Sequence, residues 1–257
     1  MSSRLNIFTI VLNGMPWLEE VEDAIMQSGA DYRWVIVHGV ADPVADTSWC
    51  QRIETPEDDG TTEKLRQLAR YGDRIRVISR PRWPGKTAMC NAALEAFDAT
   101  TPAVTLQIDA DELWTPRQLR ALPSLFDEFT DAHAAMFLCR YWFGPRRFVC
   151  TPGTYGNNTS YEWVRAWRHR PGMRFERHEP PLVTGAANYI GHAATAQRGF
   201  VFDHMAYADR SQIEFKERYY GPDYSPAAWD RLQALRGPVD LSTVLPWVKQ
   251  SVICHEV

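Results

Sequence analysis

Residues 6–12, Asn-Ile-Phe-Thr-Ile-Val-Leu, form an apolar run without alternation, the pattern of a strand covered on both faces. Asn13-Gly14 ends the run, and residues 15–27 then set Leu18, Val21, Ala24 and Ile25 at helical spacing. The alternation repeats. A second strand is predicted over 34–37, a long polar loop with Pro43 and Pro56 over 39–60, and a helix over 61–71 with Leu65, Leu68 and Ala69 on one face. A third strand over 74–78, a Pro- and Trp-containing loop over 79–85, a helix over 86–97 and a fourth strand over 103–108 follow. Strands alternating with helices at this spacing require parallel crossovers, hence an α/β chain with a doubly wound, Rossmann-like, mostly parallel central sheet and helices on both faces.

Beyond residue 115 the regularity fades. Residues 134–143 and 161–167 predict strands around a Gly/Asn-rich loop, and 210–220 and 227–235 predict helices. No repeat, low-complexity stretch or linker interrupts the chain, so residues 1–257 are expected to form one domain with halves 1–115 and 116–257.

Composition narrows the picture from there. A 45% hydrophobic content with 23% charged residues is that of a globular protein with a sizeable core. The net charge of −4 offers no global attraction to nucleic acid or anionic lipid. Cys50, Cys90, Cys139, Cys150 and Cys254 are odd in number and form no C-x-x-C pair, which argues against a disulfide framework and for a reducing, cytoplasmic setting. The longest uncharged run, 180–197, holds two adjacent prolines and two glycines, so no transmembrane segment is expected. Ten tryptophans, ten tyrosines and eleven phenylalanines suit either a core of large side chains or ring faces for sugars to stack on.

The chemistry concentrates after the fourth strand, at Asp109-Ala110-Asp111-Glu112. Ligands of open α/β sheets bind beyond the carboxyl ends of the strands, and three carboxylates within four positions repel unless compensated. A hard divalent cation, Mn²⁺ or Mg²⁺, compensates them and binds diphosphate oxygens as well. The alternative is a solvated acidic turn leading into a helix near Pro116.

With these residues in view, the chain resembles family-two glycosyltransferases of the GT-A fold. The resemblance lies in the run from Gly85-Lys86 to Asn91, in Leu106-Gln-Ile-Asp109-Ala-Asp111-Glu112, in the opening Thr9-Ile-Val-Leu-Asn13 and in the Asp59-Gly60-Thr61 turn. It implies a GT-A nucleotide-diphospho-sugar transferase fold, with half 1–115 binding a nucleotide sugar and half 116–257 facing the acceptor. It further implies a metal-dependent, inverting, hexosyltransferase-type enzyme of glycan biosynthesis, with UDP favoured as the nucleotide and a carbohydrate or other hydroxyl acceptor. Donor-binding residues would be Thr9, Val11, Asn13, His38, Lys86, Asn91, Asp109, Ala110, Arg210 and Lys216, with the cation on Asp109, Asp111 and His204. In two places the chain departs from the family: His38-Gly39 stands where an acidic residue usually ends the second strand, and the Asp-Gly-Thr turn comes later, after an inserted loop.

In the second half, Arg165-Ala-Trp167-Arg168 followed by His178-Glu179 resembles the family stretch that carries an acidic residue toward the acceptor. An inverting transfer needs a base for the acceptor hydroxyl. Glu179 is the candidate and His178 the second, against a structural pairing of Arg177 with Glu179 along a strand. Asp203-His204 with Tyr207 and Lys216 resembles the family's C-terminal His motif, in which the imidazole completes the metal shell and cations such as Lys216 and Arg210 neutralise the departing diphosphate. Two other readings stay open: a sugar-nucleotide pyrophosphorylase, which needs a Gly-rich turn after the first strand, and a non-catalytic carbohydrate-binding module. The chain is also a possible module of a larger protein.

Overall fold

The structure is a computed structural model, and it describes residues 4–42, 57–98, 100–150, 164–179 and 181–257. Most of the polar loop predicted over 39–60, and residues 161–163 of a predicted strand, lie outside the described residues.

In chain order the first half runs β1 (Arg4–Val11), α1 (Trp17–Gln27), β2 (Tyr32–Ala41), α2 (Thr61–Leu68), β3 (Ile75–Trp83), α3 (Lys86–Leu94) and β4 (Ala103–Gln107). Then come β5 (Glu112–Leu113), α4 (Pro116–Glu128), β6 (Ala134–Met136), β7 (Leu138–Trp142), β8 (Arg147–Val149) and β9 (Val164–Arg168). The rest comprises β10 (Phe175–Arg177), β11 (Leu182–Val183), β12 (Tyr189–Ile190), α5 (His192–Gln197), β13 (Val201–His204), α6 (Arg210–Tyr220), α7 (Pro226–Ala234), β14 (Val239–Asp240) and β15 (Ile253–Glu256). Among the described residues no helix is long and apolar enough to cross a membrane.

The main sheet has the order β12-β6-β9-β4-β1-β2-β3. Its β4-β1-β2-β3 part is parallel throughout, and β9 alone runs against its neighbours β4 and β6. The expectation of a mostly parallel α/β sheet holds. Successive residues of β1 and β2 enter opposite cores, Leu5, Ile7, Trp34 and Ile36 on one side and Phe8, Val35 and Val37 on the other. That is why these strands read as unbroken apolar runs. Helices α1, α2 and α4 cover the first side with Leu18, Val21, Leu65, Leu119 and Phe126, while α3 covers the second with Met89, Cys90 and Ala93. A capping box between Thr115 and Gln118 starts α4, with Pro116 at its first position.

Several boundaries differ from the pattern-based expectation. β3 continues to Trp83 through the stretch expected as a loop, because edge-strand residues Ser79–Arg82 are exposed polar and proline positions that carry no apolar signal. The predicted strand 134–143 divides at buried Phe137: β6 pairs in the main sheet, whereas β7 pairs with β8 and β13 in a second sheet of order β14-β15-β8-β7-β13-β5. A register shift at Ala135/Met136 marks the crossing point. The two-residue strand β5 is too short for any periodicity to reveal.

Candidate active site

A cleft of about 1090 Å³ opens beyond the carboxyl ends of β1, β2 and β4, where residues of the β4–β5 turn, β13 and α6 line it. At its back, the loop after β1 is clasped to the turn before α2. Asn13 Nδ2 donates to the Glu57 carbonyl at 2.8 Å, Gly14 N to Thr61 Oγ1 at 2.8 Å, and Met15 N to Asp59 Oδ2 at 2.9 Å. Asp59 also accepts from Thr61 N at 3.0 Å, so the Asp-Gly-Thr turn is rigid from its own hydrogen bonds. Gly14 packs tightly here, since a Cβ would come within 3.0 Å of Ala110 Cβ. At the neighbouring strand end, β2 bulges at Gly39, where a φ of 137° and the 1.9 Å that would separate an added Cβ from the Arg80 carbonyl oxygen exclude any side chain.

The acidic triplet sits on the turn from β4 to β5. Glu112 N donates to the Asp109 carbonyl at 2.9 Å. β5 then pairs antiparallel with β13, His204 opposite Glu112, and Met205 N donates to the Asp111 carbonyl at 2.7 Å. This register brings His204 Nε2 to 3.5 Å from Asp111 Oδ1. The three carboxylates have different surroundings. Asp111 faces the cleft and His204. Asp109 lines the cleft too, but its oxygens are engaged: Oδ1 accepts from Gln107 Nε2 at 2.9 Å and Oδ2 lies 3.4 Å from Arg165 Nη2. Glu112 is wholly buried, with Oε1 at 2.8 Å from Arg165 Nε and 2.7 Å from Nη2.

Protonation follows from these partners. Burial raises the Asp111 carboxyl, but the charge and hydrogen bond of His204, and then Lys216, outweigh it and hold Asp111 well below the usual carboxylate range. Burial also raises Asp109, and Arg165, His178 and the Gln107 amide together bring it below its ordinary value. At Glu112 burial prevails over the pull of Arg165, and its carboxyl lies above the ordinary range. His204 is raised because Asp111 overcomes the burial penalty. Lys216 is lowered by burial, against Asp111 and with Lys86.

Lys86, at the start of α3, and Lys216, from α6, both line the cleft, and the Lys216 ammonium lies 5.2 Å from the Tyr207 ring centroid and 5.5 Å from that of Tyr220. Glu179 and His178 line it as well, with His178 Nδ1 4.0 Å from Glu179 Oε2. They occupy a turn just after β10, so Glu179 does not alternate with Arg177 along a strand. Val11, Asn13 and Ala110 also face the cleft.

Four expected donor residues are placed elsewhere. Thr9 is buried, its hydroxyl accepting from Trp34 Nε1 at 3.1 Å inside the sheet. Asn91 bridges α3 to β10, donating to the Phe175 carbonyl at 3.0 Å and accepting from its N–H at 2.8 Å. Arg210 points outward to Asp230 at 3.2 Å and to Glu214. His38 stands behind the cleft with Nδ1 3.3 Å from Ser79 Oγ, while its neighbour Gly39 lines it. Conversely, Tyr224 and Trp247 line the cleft although no motif marked them, and Asp59 and Arg165, which the sequence motifs contain but to which no role was given, line it too.

Among the described residues no group of three or more His, Cys, Asp or Glu side chains gathers to hold an ion. Asp111 and His204 nevertheless fit a cation completed by substrate. Mg²⁺ commonly takes one or two protein carboxylates and draws its remaining oxygens from phosphate and water, and imidazole is an accepted nitrogen ligand for Mn²⁺.

Among solved structures, the chain is similar to S. aureus TarS 1–349 in complex with UDP-GlcNAc, at 12% identity over 65% of this chain and 45% of that one, with a TM-score of 0.46. It is also similar to S. aureus TarS, at 13% identity over 90% and 42%, with a TM-score of 0.45. A third is Mycobacterium tuberculosis glucosyl-3-phosphoglycerate synthase with Mn²⁺, uridine diphosphate and phosphoglyceric acid, at 18% identity over 54% and 44%, with a TM-score of 0.35. The chain thus spans less than half the length of each of these three. Curated proteins yield no match. The family described as "Glycosyltransferase like family 2" matches residues 52–213, a stretch that carries the Asp-Gly-Thr turn, the acidic triplet, Arg165, Glu179 and His204. The chain belongs to this glycosyltransferase-like family 2.

Proposed function

We propose that the protein is a divalent-cation-dependent, inverting glycosyltransferase, of hexosyltransferase type, that moves a sugar from a nucleoside-diphosphate donor, UDP favoured, to an acceptor hydroxyl in glycan biosynthesis. The observation that carries this reading is the convergence of Asp111 with His204, and of Lys86 with Lys216, in one cleft that Glu179 also lines. In the reaction the acceptor oxygen attacks the anomeric carbon as the bond to the diphosphate breaks. Glu179 takes the acceptor's proton. The Lys86 and Lys216 side chains face the negative charge that develops on the departing nucleoside diphosphate. Asp111 and His204 would hold Mn²⁺ or Mg²⁺, which supplies further positive charge to that leaving group.

The pyrophosphorylase reading is disfavoured, because the Gly14 and Met15 amides that a triphosphate would need already donate to Thr61 and Asp59. The test is sugar-donor hydrolysis and transfer with MnCl₂ or with EDTA, for wild type and Asp111→Asn. We expect cation-dependent turnover in wild type and loss of cation-dependent nucleotide binding in the variant with its melting temperature retained. Turnover unaffected by EDTA, or wild-type nucleotide affinity in Asp111→Asn, would remove the cation site from the proposal.

A further inference from the structure

The structure assigns Arg165 the part of a positioning residue for nucleotide binding: anchored on buried Glu112, its guanidinium holds the Asp109 carboxylate apart from the Asp111–His204 pair, so that the two aspartates serve separate tasks. This rests on the proposed nucleotide-sugar reading.

The argument begins with Glu112, whose side chain has no exposed surface, and Arg165, whose side chain is only 6% exposed. Taking a carboxyl and a guanidinium out of water is costly, and well-packed apolar residues of similar volume often replace a buried pair without loss of stability. Stability therefore gives little reason to keep this pair beneath the β4–β5 turn. Its geometry gives one. Glu112 Oε1 receives both Arg165 Nε and Nη2, while its Oε2 accepts from the Asp109 backbone N–H at 3.3 Å. The same Arg165 Nη2 lies 3.4 Å from Asp109 Oδ2, and Gln107 Nε2 holds Oδ1 at 2.9 Å. Asp109 is thereby restrained at its backbone and at both carboxylate oxygens. Asp111, two residues on, is turned to His204. Because β9 runs antiparallel beside β4, with Ala166 opposite Leu106, Arg165 reaches the turn from an adjacent strand and not from a loop. A planar, five-donor guanidinium can engage two carboxylates at once, which a lysine ammonium does less specifically.

The experiment is a coupling measurement on the full chain, with UDP and with GDP as probes in MnCl₂, read by calorimetry. Glu112→Gln/Arg165→Met removes both buried charges together and leaves neither unpaired. We expect this double variant to melt close to wild type and to bind nucleotide about tenfold more weakly. Asp109→Asn should also weaken wild type by about tenfold, yet change the double variant by less than about threefold, since its carboxylate is no longer held there. The same factor for Asp109→Asn in both backgrounds, or a double variant that binds like wild type, overturns the inference. Should the double variant fail to fold, Arg165→Lys decides: affinity equal to wild type overturns the inference and a clear loss supports it. A wild type that binds neither nucleotide with Mn²⁺ fails the proposed function first, and this inference with it. Wild-type binding untouched by the variants fails the inference alone.

Discussion

Asn91 uses both ends of its amide on the Phe175 backbone, tying α3 to the strand that precedes Glu179. Residue type and motif position placed it with the donor; its contacts make it a buried brace. Asn91→Ala should therefore lower stability by about 1–3 kcal/mol in urea unfolding, the cost of stranding buried backbone groups, with nucleotide affinity unchanged. An affinity loss at unchanged stability would return Asn91 to the donor site. Glu179 is the opposite case, a cleft residue for which we propose a role in the chemical step alone. Glu179→Gln should reduce kcat by about a hundredfold or more and leave nucleotide affinity in place. Steady-state kinetics beside His178→Ala separates the neighbours, and wild-type kcat in Glu179→Gln would pass the base's role to His178.

Elements decide which of these side chains meet. Arg210 and Lys216 share α6 but lie six positions apart, which at about 100° per residue turns them to different faces. One pairs with Asp230 and Glu214 outside, and the other enters the cleft. The helix begins with a capping box in which Asp209 accepts from Ser211 N at 2.7 Å and Gln212 reaches back to the cap. Asp209→Ala removes that cap, at about 1 kcal/mol. Since α6 carries Lys216 and Phe215 into the cleft, we expect a lowered melting temperature together with a nucleotide Kd raised by up to about fivefold. Melting by circular dichroism and titration calorimetry read the two effects separately, and a stability loss with unchanged Kd would detach α6 from the donor.

At the scale of the whole molecule, the cleft is walled by strand ends of the first half and by β13 and α6 of the second. One apolar core extends from Leu5 to Cys254 and passes beneath both sheets. A ligand bridging the two walls binds only the native state, so it stabilises by about 2.7 kcal/mol at a concentration a hundred times its Kd. For a chain of this size each kcal/mol raises the melting temperature by about 2–4 °C. Nucleoside diphosphate with MnCl₂ should then shift melting upward by several degrees, and EDTA should abolish the shift. A shift that survives EDTA would mean that the nucleotide is held without the cation.

The alternating strands and helices of the first half were legible in the sequence because each is a local pattern: a continuous apolar run at β1 and a 3.6-residue period at α1. So was the position of the acidic triplet, at the carboxyl end of β4, where open parallel sheets commonly bind their ligands. What local pattern cannot carry is contact between distant segments. Only the register of β13 on β5 decided that His204 lies beside Asp111, and only the crossing of β9 beside β4 decided that Arg165 engages Asp109 and Glu112. The same holds for Thr9 and Asn91, whose partners Trp34 and Phe175 lie 25 and 84 residues away. Composition and spacing name the groups able to do the chemistry; long-range pairing selects which of them face the cleft.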